Sequence, residues 1–356
     1  MTLSSIFSSK RWTPLGTLIL SAALGFGLIL SIEYWIRSLG AVPSVENTIA
    51  RWALVRSQVE KDTSSQAVVL LGASRAQSGL SHDVLRKAMP GANIYNLAYV
   101  GKAPYEALAD IADNTDFSGL VIVSFLSTWL LPDQGRHDQV EMVQYYHSHW
   151  NLARAAETKM GNAVASHMVL RNNSHSFSTM VRNIAQTGRP IRTDNRTNII
   201  ITGDDRQQYL TVIDVDRAQQ RATDWAAKVV AEGNSVPQDF DWDAAYADLS
   251  EKIGKIQARG GSVILVRMPS ADIVYETESQ FFPRAQYWDK MIEAIPAKGI
   301  HFEDVPGVET IDIPDFSHVP ASERDAFSEL MVEAIVDTLR AEGSTRFDFQ
   351  VGNNSD

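Results

Sequence analysis

The sequence predicts an α/β protein: a parallel sheet covered on both faces by helices, interrupted by a long insertion and preceded by one membrane-spanning helix. Three observations lead there. The runs 67–71 (AVVLL), 120–126 (LVIVSFL) and 262–268 (SVILVRM) are almost continuously apolar, the pattern of strands buried on both faces. Segments of helical period alternate with them, which favours parallel pairing through helical crossovers. Finally, the first run stops at Gly72 with a hydroxyl residue, Ser74, two places on. Open α/β sheets put their ligand chemistry at that edge.

Taken in order, the chain opens with Lys10 and Arg11, then the uncharged stretch Leu15 to Ile32, about the length of one membrane span. Trp12 on one side and Tyr34–Trp35 on the other read as interfacial anchors for a span over 13–36. A cleaved signal peptide is the alternative, but Leu39-Gly40-Ala41 is a poor small-x-small site and lies beyond Glu33. The expectation is an uncleaved inner-membrane anchor with a cytoplasmic tip (1–37), its main domain periplasmic or extracellular. Arg37, Arg51 and Arg56 weaken the positive-inside contrast, although long domains cross largely regardless of such charges. Residues 38–66 read as a stalk containing a short helix, 50–59, with Trp52, Val55 and Val59 on one face.

After strand 67–71 come a helix at 81–88 closed by Pro90-Gly91, a strand at 94–98, a helix at 105–112 and the strand 120–126. The alternation then breaks. Residues 130–240 are expected as an insertion capping the carboxyl edge of the sheet, with helical pieces near 139–170 and a hairpin around Ile199–Val215. The pattern resumes with a long amphipathic helix (241–259) ended by Gly260-Gly261, the strand 262–268 and a helix at 284–294. His301–Val305 and Thr310–Ile313 are short strand candidates. A helical stripe from Ala326 to Leu339 follows, with Gly343 just past its end. The α/β domain is thus 66–130 with 241–341, and 342–356 is expected to be a disordered tail.

Composition narrows the function. The chain has 356 residues, 44% hydrophobic and 21% charged, which is ordinary for a globular core. Its formal net charge is −11 and no long basic block appears, so nucleic acid is not expected as a partner. Cysteine is absent, which excludes disulfides, thiol catalysis and cysteine-ligated metals. No cofactor is indicated.

Ser74 reads either as a nucleophile or as the N-cap of a tight strand-to-helix turn. A serine nucleophile needs a base, and the base needs a partner to set its tautomer. Among the eight histidines, His318 follows Asp315 by three residues and stands just ahead of the terminal helix. Both groups would then reach the same edge of one sheet. Asp312 competes with Asp315 for the histidine.

These residues resemble the GDSL/SGNH hydrolases: Gly72-x-Ser74 with Gly79 five residues beyond the serine, Asn96 with Gly101 five residues later, and Asp315-x-x-His318 before a closing helix. The resemblance covers about 66–130 and 241–341. It implies a flavodoxin-like three-layer α/β/α sandwich, Ser74 as nucleophile, His318 as base, Asp315 as its orienter, and oxyanion donors from the backbone of Ser74 and Gly101. Two departures stand out. The family's Asp between Gly and Ser is Ala73 here, and its Gly-x-Asn-Asp block after the third strand reads Leu126-Ser127-Thr128-Trp129. Ser127 or Thr128 either replaces the missing side-chain donor or caps the next segment. Losing such a donor typically costs about 10²–10³ in rate, so an inactive module that binds polysaccharide or a membrane partner is the rival reading. A structural subunit of an envelope assembly, its Ser74 turn merely a turn, is a further one.

The single span, Gly-x-Ser-Arg, Arg267-Met268-Pro269 and Phe282-Pro283-Arg284 are similar to a membrane-anchored subgroup that O-acylates cell-surface or secreted polysaccharides beside a multi-span acyl-donating membrane protein. That resemblance implies a glycan or acyl-ester substrate, with esterase and transferase left open. Other constellations have plainer readings. His137, Asp138, Glu141, His147 and His149 form a polar surface rather than a metal site. Arg75 either meets an anionic ligand or forms an ordinary ion pair. Tyr145, Tyr146 and Trp150 either stack on sugars or pack in the core.

Overall fold

The structure is a computed structural model and describes residues 14–191, 197–233 and 236–347. In chain order these form α1 (Pro14–Ser38), α2 (Ile49–Lys61), β1 (Ala67–Leu71), α3 (Ser74–Gly79), α4 (His82–Ala88), β2 (Asn93–Asn96), α5 (Tyr105–Asn114) and β3 (Leu120–Ser124). There follow α6 (Val140–His149), α7 (Leu152–Ala165), α8 (Phe177–Thr187), β4 (Asn198–Thr202), β5 (Gln208–Val212) and α9 (Val215–Glu232). The chain continues with α10 (Trp242–Ala258), β6 (Ser262–Arg267), α11 (Asp272–Phe281), α12 (Arg284–Ala294), β7 (Lys298–His301) and α13 (Arg324–Ala341). Two compact units result, one of Met1–Ser44 with Val164–Arg192 and one of Val45–Ala163 with Thr193–Asp356.

The larger unit is built on a five-stranded parallel sheet of order β2-β1-β3-β6-β7. Counting only its own strands, that is the 2-1-3-4-5 order of the flavodoxin-like doubly wound fold. The apolar runs explain it. All five residues of β1 and of β3 are buried, and alternate side chains enter opposite layers, as the two-residue strand period requires. Ala67, Val69, Leu71, Val121, Val123, Val263 and Leu265 join a core with α2, α5, α10 and α12. Val68, Leu70, Leu120, Ile122, Ile264 and Val266 join a second core with α4 and α13. The protein is therefore a mixed α/β fold with helices on both faces of a parallel sheet.

Several expectations change. Residues 49–61, assigned to a stalk, belong to the first core: Trp52 is fully buried and its indole donates to Leu97 O at 3.0 Å. The strand candidates His301–Val305 and Thr310–Ile313 are not strands. Phe302–Asp304 and Val308–Thr310 are 3₁₀ turns joined through Gly307 at φ +92°. The strand is β7, pairing from Ile264↔Lys298 to Arg267↔His301; Lys298-Gly299 conceals it because neither residue has strand character. The supposed tail begins in contact with the core, where Phe347 is buried; residues 348–356 lie outside the described residues.

The 130–240 stretch is divided. Residues 164–192 cluster with the N-terminal unit, and the rest with the sheet. Within the larger unit, β4 and β5 form an antiparallel hairpin. Its turn is anchored by Arg206, a buried residue that donates to Asn96 O, to Ala98 O at 3.0 Å and to Asn47 Oδ1 at 2.9 Å. The long helix α9 follows, capped where Asp214 Oδ1 accepts from Arg217 N–H at 3.1 Å.

In the smaller unit, α1 is long and apolar enough to cross a membrane, and most of its apolar side chains are exposed, Ile36 near its end being buried. Lys10, Arg11 and Trp12 lie outside the described residues.

Candidate active site

At the end of β1 the chain must turn sharply. Gly72 takes φ +149°, and a Cβ there would meet Ala76 Cβ at 2.7 Å and Ser124 Cβ at 2.8 Å. Only glycine satisfies both the backbone and the space. The N-cap of α3 falls on Ala73, which has no side-chain oxygen to offer. Ser74 is the first helical residue, and its hydroxyl is engaged elsewhere: Oγ lies 2.8 Å from His318 Nε2. The capping alternative for Ser74 is thereby set aside.

The histidine is delivered by a loop with its own internal logic. Asp315 Oδ1 accepts from Ser317 N–H at 3.0 Å and from His318 N–H at 2.7 Å, while Oδ2 lies 3.0 Å from His318 Nδ1. Phe316 is held at φ +61°, its carbonyl accepting from Ala271 N–H at 3.0 Å. A non-glycine residue in that region costs about 1–3 kcal/mol, offset by the hydrogen bonds that wrap the carboxylate. The tautomer follows from the network: Nδ1–H donates to Asp315, leaving Nε2 to accept from Ser74. Burial alone would raise the Asp315 pKa. The hydrogen bond and charge of His318 and the two loop N–H groups outweigh burial and hold it below the usual carboxylate value. Asp312 is exposed, and the contacts of the imidazole go to Asp315 and Ser74.

Ser74, Asp315 and His318 open into a cavity of about 460 Å³. Arg75 lines it but does not stand free: its Nη2 is 2.9 Å from Glu278 Oε1 and 3.3 Å from Ser317 Oγ. Arg267 Nη2 and Ser270 Oγ each reach Glu278 Oε2 at 2.6 Å. Burial pushes the Glu278 pKa up, but the two guanidinium groups prevail and bring it to about 2. The Arg75–Glu278–Arg267 cluster therefore carries one net positive charge beside the serine.

Other expected residues fall elsewhere. Gly101 is exposed at φ +69° in the turn closed by Lys102 N–H to Tyr99 O at 3.1 Å, and it does not line the cavity. Its glycine serves that turn. Asn96 is buried, with Nδ2 at 3.1 Å from His82 Nε2 and Oδ1 accepting from Ala98 N–H at 3.1 Å. Ser127 and Thr128 open a 3₁₀ turn and line a neighbouring cavity of about 330 Å³ instead. Leu126, Trp225, Arg267 and Glu278 border both spaces. Phe281, Phe282, Tyr287, Trp288 and Phe302 supply aromatic surface to the second.

The metal-like cluster disperses. His137 Nδ1 pairs with Glu106 at 2.8 Å, Asp138 accepts from Ala103 N–H at 2.9 Å, and His147 Nε2 meets Asp110 at 2.6 Å. No group of three or more metal-ligating side chains forms among the described residues. Tyr145, Tyr146 and Trp150 pack against the first core.

Sequence reasoning did not find Asn198, Arg221 or Trp225, which reach the Ser74 cavity from β4 and α9. Asn198 Oδ1 is buried with no hydrogen-bond partner among the described residues. Nor did it find Glu278, one acidic residue in a helix of mixed character. These residues carry no motif spacing. Only an unpaired amide and a shared counter-ion, both tertiary facts, reveal them.

Fold and site together define a flavodoxin-like α/β protein with a Ser–His–Asp hydrogen-bonded line at the carboxyl edge of its sheet, beside the β1/β3 switch point. No family model matches the chain, and no curated protein matches it. Among solved structures, "Crystal Structure of TesA" is similar, with a TM-score of 0.33 and 11% identity over 77% of this chain and 98% of that one. A likeness at that level carries no argument about this protein.

Proposed function

We propose that the chain is a membrane-anchored serine acyl-esterase or O-acyltransferase of the GDSL/SGNH type, acting outside the cytoplasm on a cell-surface or secreted glycan. One observation carries this reading: Ser74, His318 and Asp315 are hydrogen-bonded in line at the edge where a doubly wound sheet binds ligands. His318 takes the Ser74 proton as Oγ attacks the ester carbonyl, and later returns a proton to the leaving alcohol. Water or a sugar hydroxyl then attacks the acyl-serine. Asp315 stays ionised throughout and balances the imidazolium, in keeping with its lowered pKa.

The oxyanion is served first by N–H groups of the opening turn of α3, which have no intrahelical acceptor. Gly101 lies outside the cavity and is replaced in this scheme by the amide of Asn198. That amide lines the same space, and its Nδ2 is the donor assigned to the oxyanion. The aromatic surface of the neighbouring cavity supports a sugar acceptor, because sugar faces stack on aromatic rings while their hydroxyls need polar partners such as Arg267 and Glu278. Residues of β4 and α9 act as the cap, and a multi-span membrane protein is the proposed source of the acyl group.

The test is fluorophosphonate labelling of the purified full-length chain in detergent micelles. Wild type should acquire one stoichiometric adduct on Ser74, and Ser74→Ala none. A second reading has one observation in its favour, the displacement of Gly101, Ser127 and Thr128 from the serine's cavity. It makes the chain an inactive glycan-binding module. An unlabelled wild type that still binds an O-acylated polysaccharide would establish that reading instead.

A further inference from the structure

We propose that α8 lies in the membrane–water interface and binds anionic lipid headgroups, as a second membrane contact beside α1. The proposal rests on reading α1 as a membrane anchor. It comes from the smaller unit alone, where three observations coincide.

The first is attachment. In the last turns of α1, Glu33 Oε1 accepts from Val169 N–H at 2.8 Å and Oε2 from Leu170 N–H at 3.0 Å. Arg37 Nε holds the same carboxylate at 2.7 Å, and its Nη2 donates to His167 O at 2.5 Å. Ile36 packs on Val169 and Met180. The segment leading into α8 is thus fastened to the C-terminal end of the apolar helix, at the depth where a span of this length meets headgroups.

The second is an apolar face left exposed among the described residues. Met180 and Asn183 turn inward and are buried. Phe177, Val181 and Ile184, at i, i+4 and i+7, form a separate stripe exposed to 65%, 50% and 45%. Such a stripe on a short, otherwise polar helix is the pattern of a helix lying in the interfacial plane.

The third is charge. From 164 to 191 the sequence has no acidic residue, yet it holds Arg171, Arg182 and Arg189, in a chain whose net charge is −11. Basic residues flanking an exposed apolar stripe complement anionic headgroups. The same charges disfavour a second copy as the occupant, since a two-fold pairing of this face would oppose arginine to arginine.

The absence of cysteine makes site-specific labelling clean. Leu24→Cys, Ile184→Cys and Gln186→Cys, each carrying an NBD fluorophore, would be placed in the full chain and reconstituted in phosphatidylcholine vesicles with or without phosphatidylglycerol. The Ile184 probe should be quenched by lipids brominated near the headgroup, and the Leu24 probe by lipids brominated deep in the chain. The Gln186 probe, two residues and about 200° around the helix, should stay water-exposed. Arg182→Glu should weaken Ile184 quenching about fivefold or more in phosphatidylglycerol vesicles, and omitting phosphatidylglycerol should weaken it for wild type. A quenched Leu24 probe with an unquenched Ile184 probe overturns the proposal and leaves the anchor standing. An Ile184 probe shielded from water but untouched by brominated lipid also overturns it, in favour of a protein contact. An unquenched Leu24 probe overturns the anchor and this proposal together. Quenching at Ile184 that ignores both phosphatidylglycerol and Arg182→Glu overturns the headgroup part.

Discussion

At the scale of single residues, Ser74, His318 and Asp315 are joined by hydrogen bonds of 2.8 and 3.0 Å across 244 positions of sequence. Groups that act as a unit fail as a unit. Ser74→Ala and His318→Ala should therefore each abolish turnover of a chromogenic acyl ester to a similar residual level, and the double variant should be little worse than either. Additive losses in kcat/KM would contradict the shared role. Asn198 is the sharper case. If its amide serves the oxyanion, Asn198→Ala should lower kcat by about 10²–10³ with KM nearly unchanged. A variant with wild-type kcat would remove Asn198 from the scheme. Ser74 and the Asp315-x-x-His318 spacing were legible because short-range patterns mark them. Asn198 was not, because its relevance comes from a hairpin whose second strand, β5, packs on α3.

At the scale of elements, two devices hold the edge of the sheet together. Glu278 ties α11 to Arg267 at the end of β6 and to Arg75 on α3. Its pKa is about 2 in the folded protein against an ordinary 4.5. A carboxylate depressed on folding contributes stability that is fully present above its unfolded pKa and lost as pH falls through the folded one. Urea midpoints should therefore decline from about pH 4.5 toward pH 2. Glu278→Gln should flatten that limb while lowering stability at neutral pH, because Arg267 is left without its anion. An unchanged acid limb in the variant would assign the decline to other groups.

The second device is the hairpin turn. Burial, with repulsion from Arg51 added, lowers the Arg206 pKa to about 9, so its charge survives at neutral pH on the strength of Asn96 O, Ala98 O and Asn47 Oδ1. Beside it His82 Nδ1 pairs with Asp205 at 2.7 Å and brings that carboxyl down to about 2 against the effect of burial. Arg206→Met leaves the Asn96 and Ala98 carbonyls without this donor and should cost about 1–3 kcal/mol for each in denaturant titrations. It should also reduce turnover, since β4 carries Asn198. Loss of stability with full activity in the surviving folded fraction would separate the hairpin from the site. The sequence suggested a hairpin near 199–215 but not its anchoring, because a buried arginine looks like any surface arginine until its acceptors are known.

At the scale of the whole molecule, the apolar helix and the sheet domain set an expectation for topology. If α1 anchors the chain with the bulk outside the cytoplasm, protease added to intact spheroplasts should digest residues 45–347, leaving a small membrane-bound N-terminal fragment. Full protection would put the domain in the cytoplasm and remove a cell-surface glycan as substrate. What the sequence by itself determined is the part written in local periodicity. The three apolar runs are strands because burial on both faces demands unbroken hydrophobicity, and Gly72 is a glycine because no Cβ fits there. The charge-free span and the terminal helix were equally plain. Only tertiary structure decided which loops reach the serine. β7 was concealed by Lys298-Gly299 and established by pairing with β6. The 2-1-3-4-5 order, the displacement of Gly101, and the convergence of Asn198, Trp225 and Glu278 on Ser74 depend on contacts between residues far apart in the chain. No local pattern encodes those contacts, since the free energy that selects them comes from long-range burial and pairing.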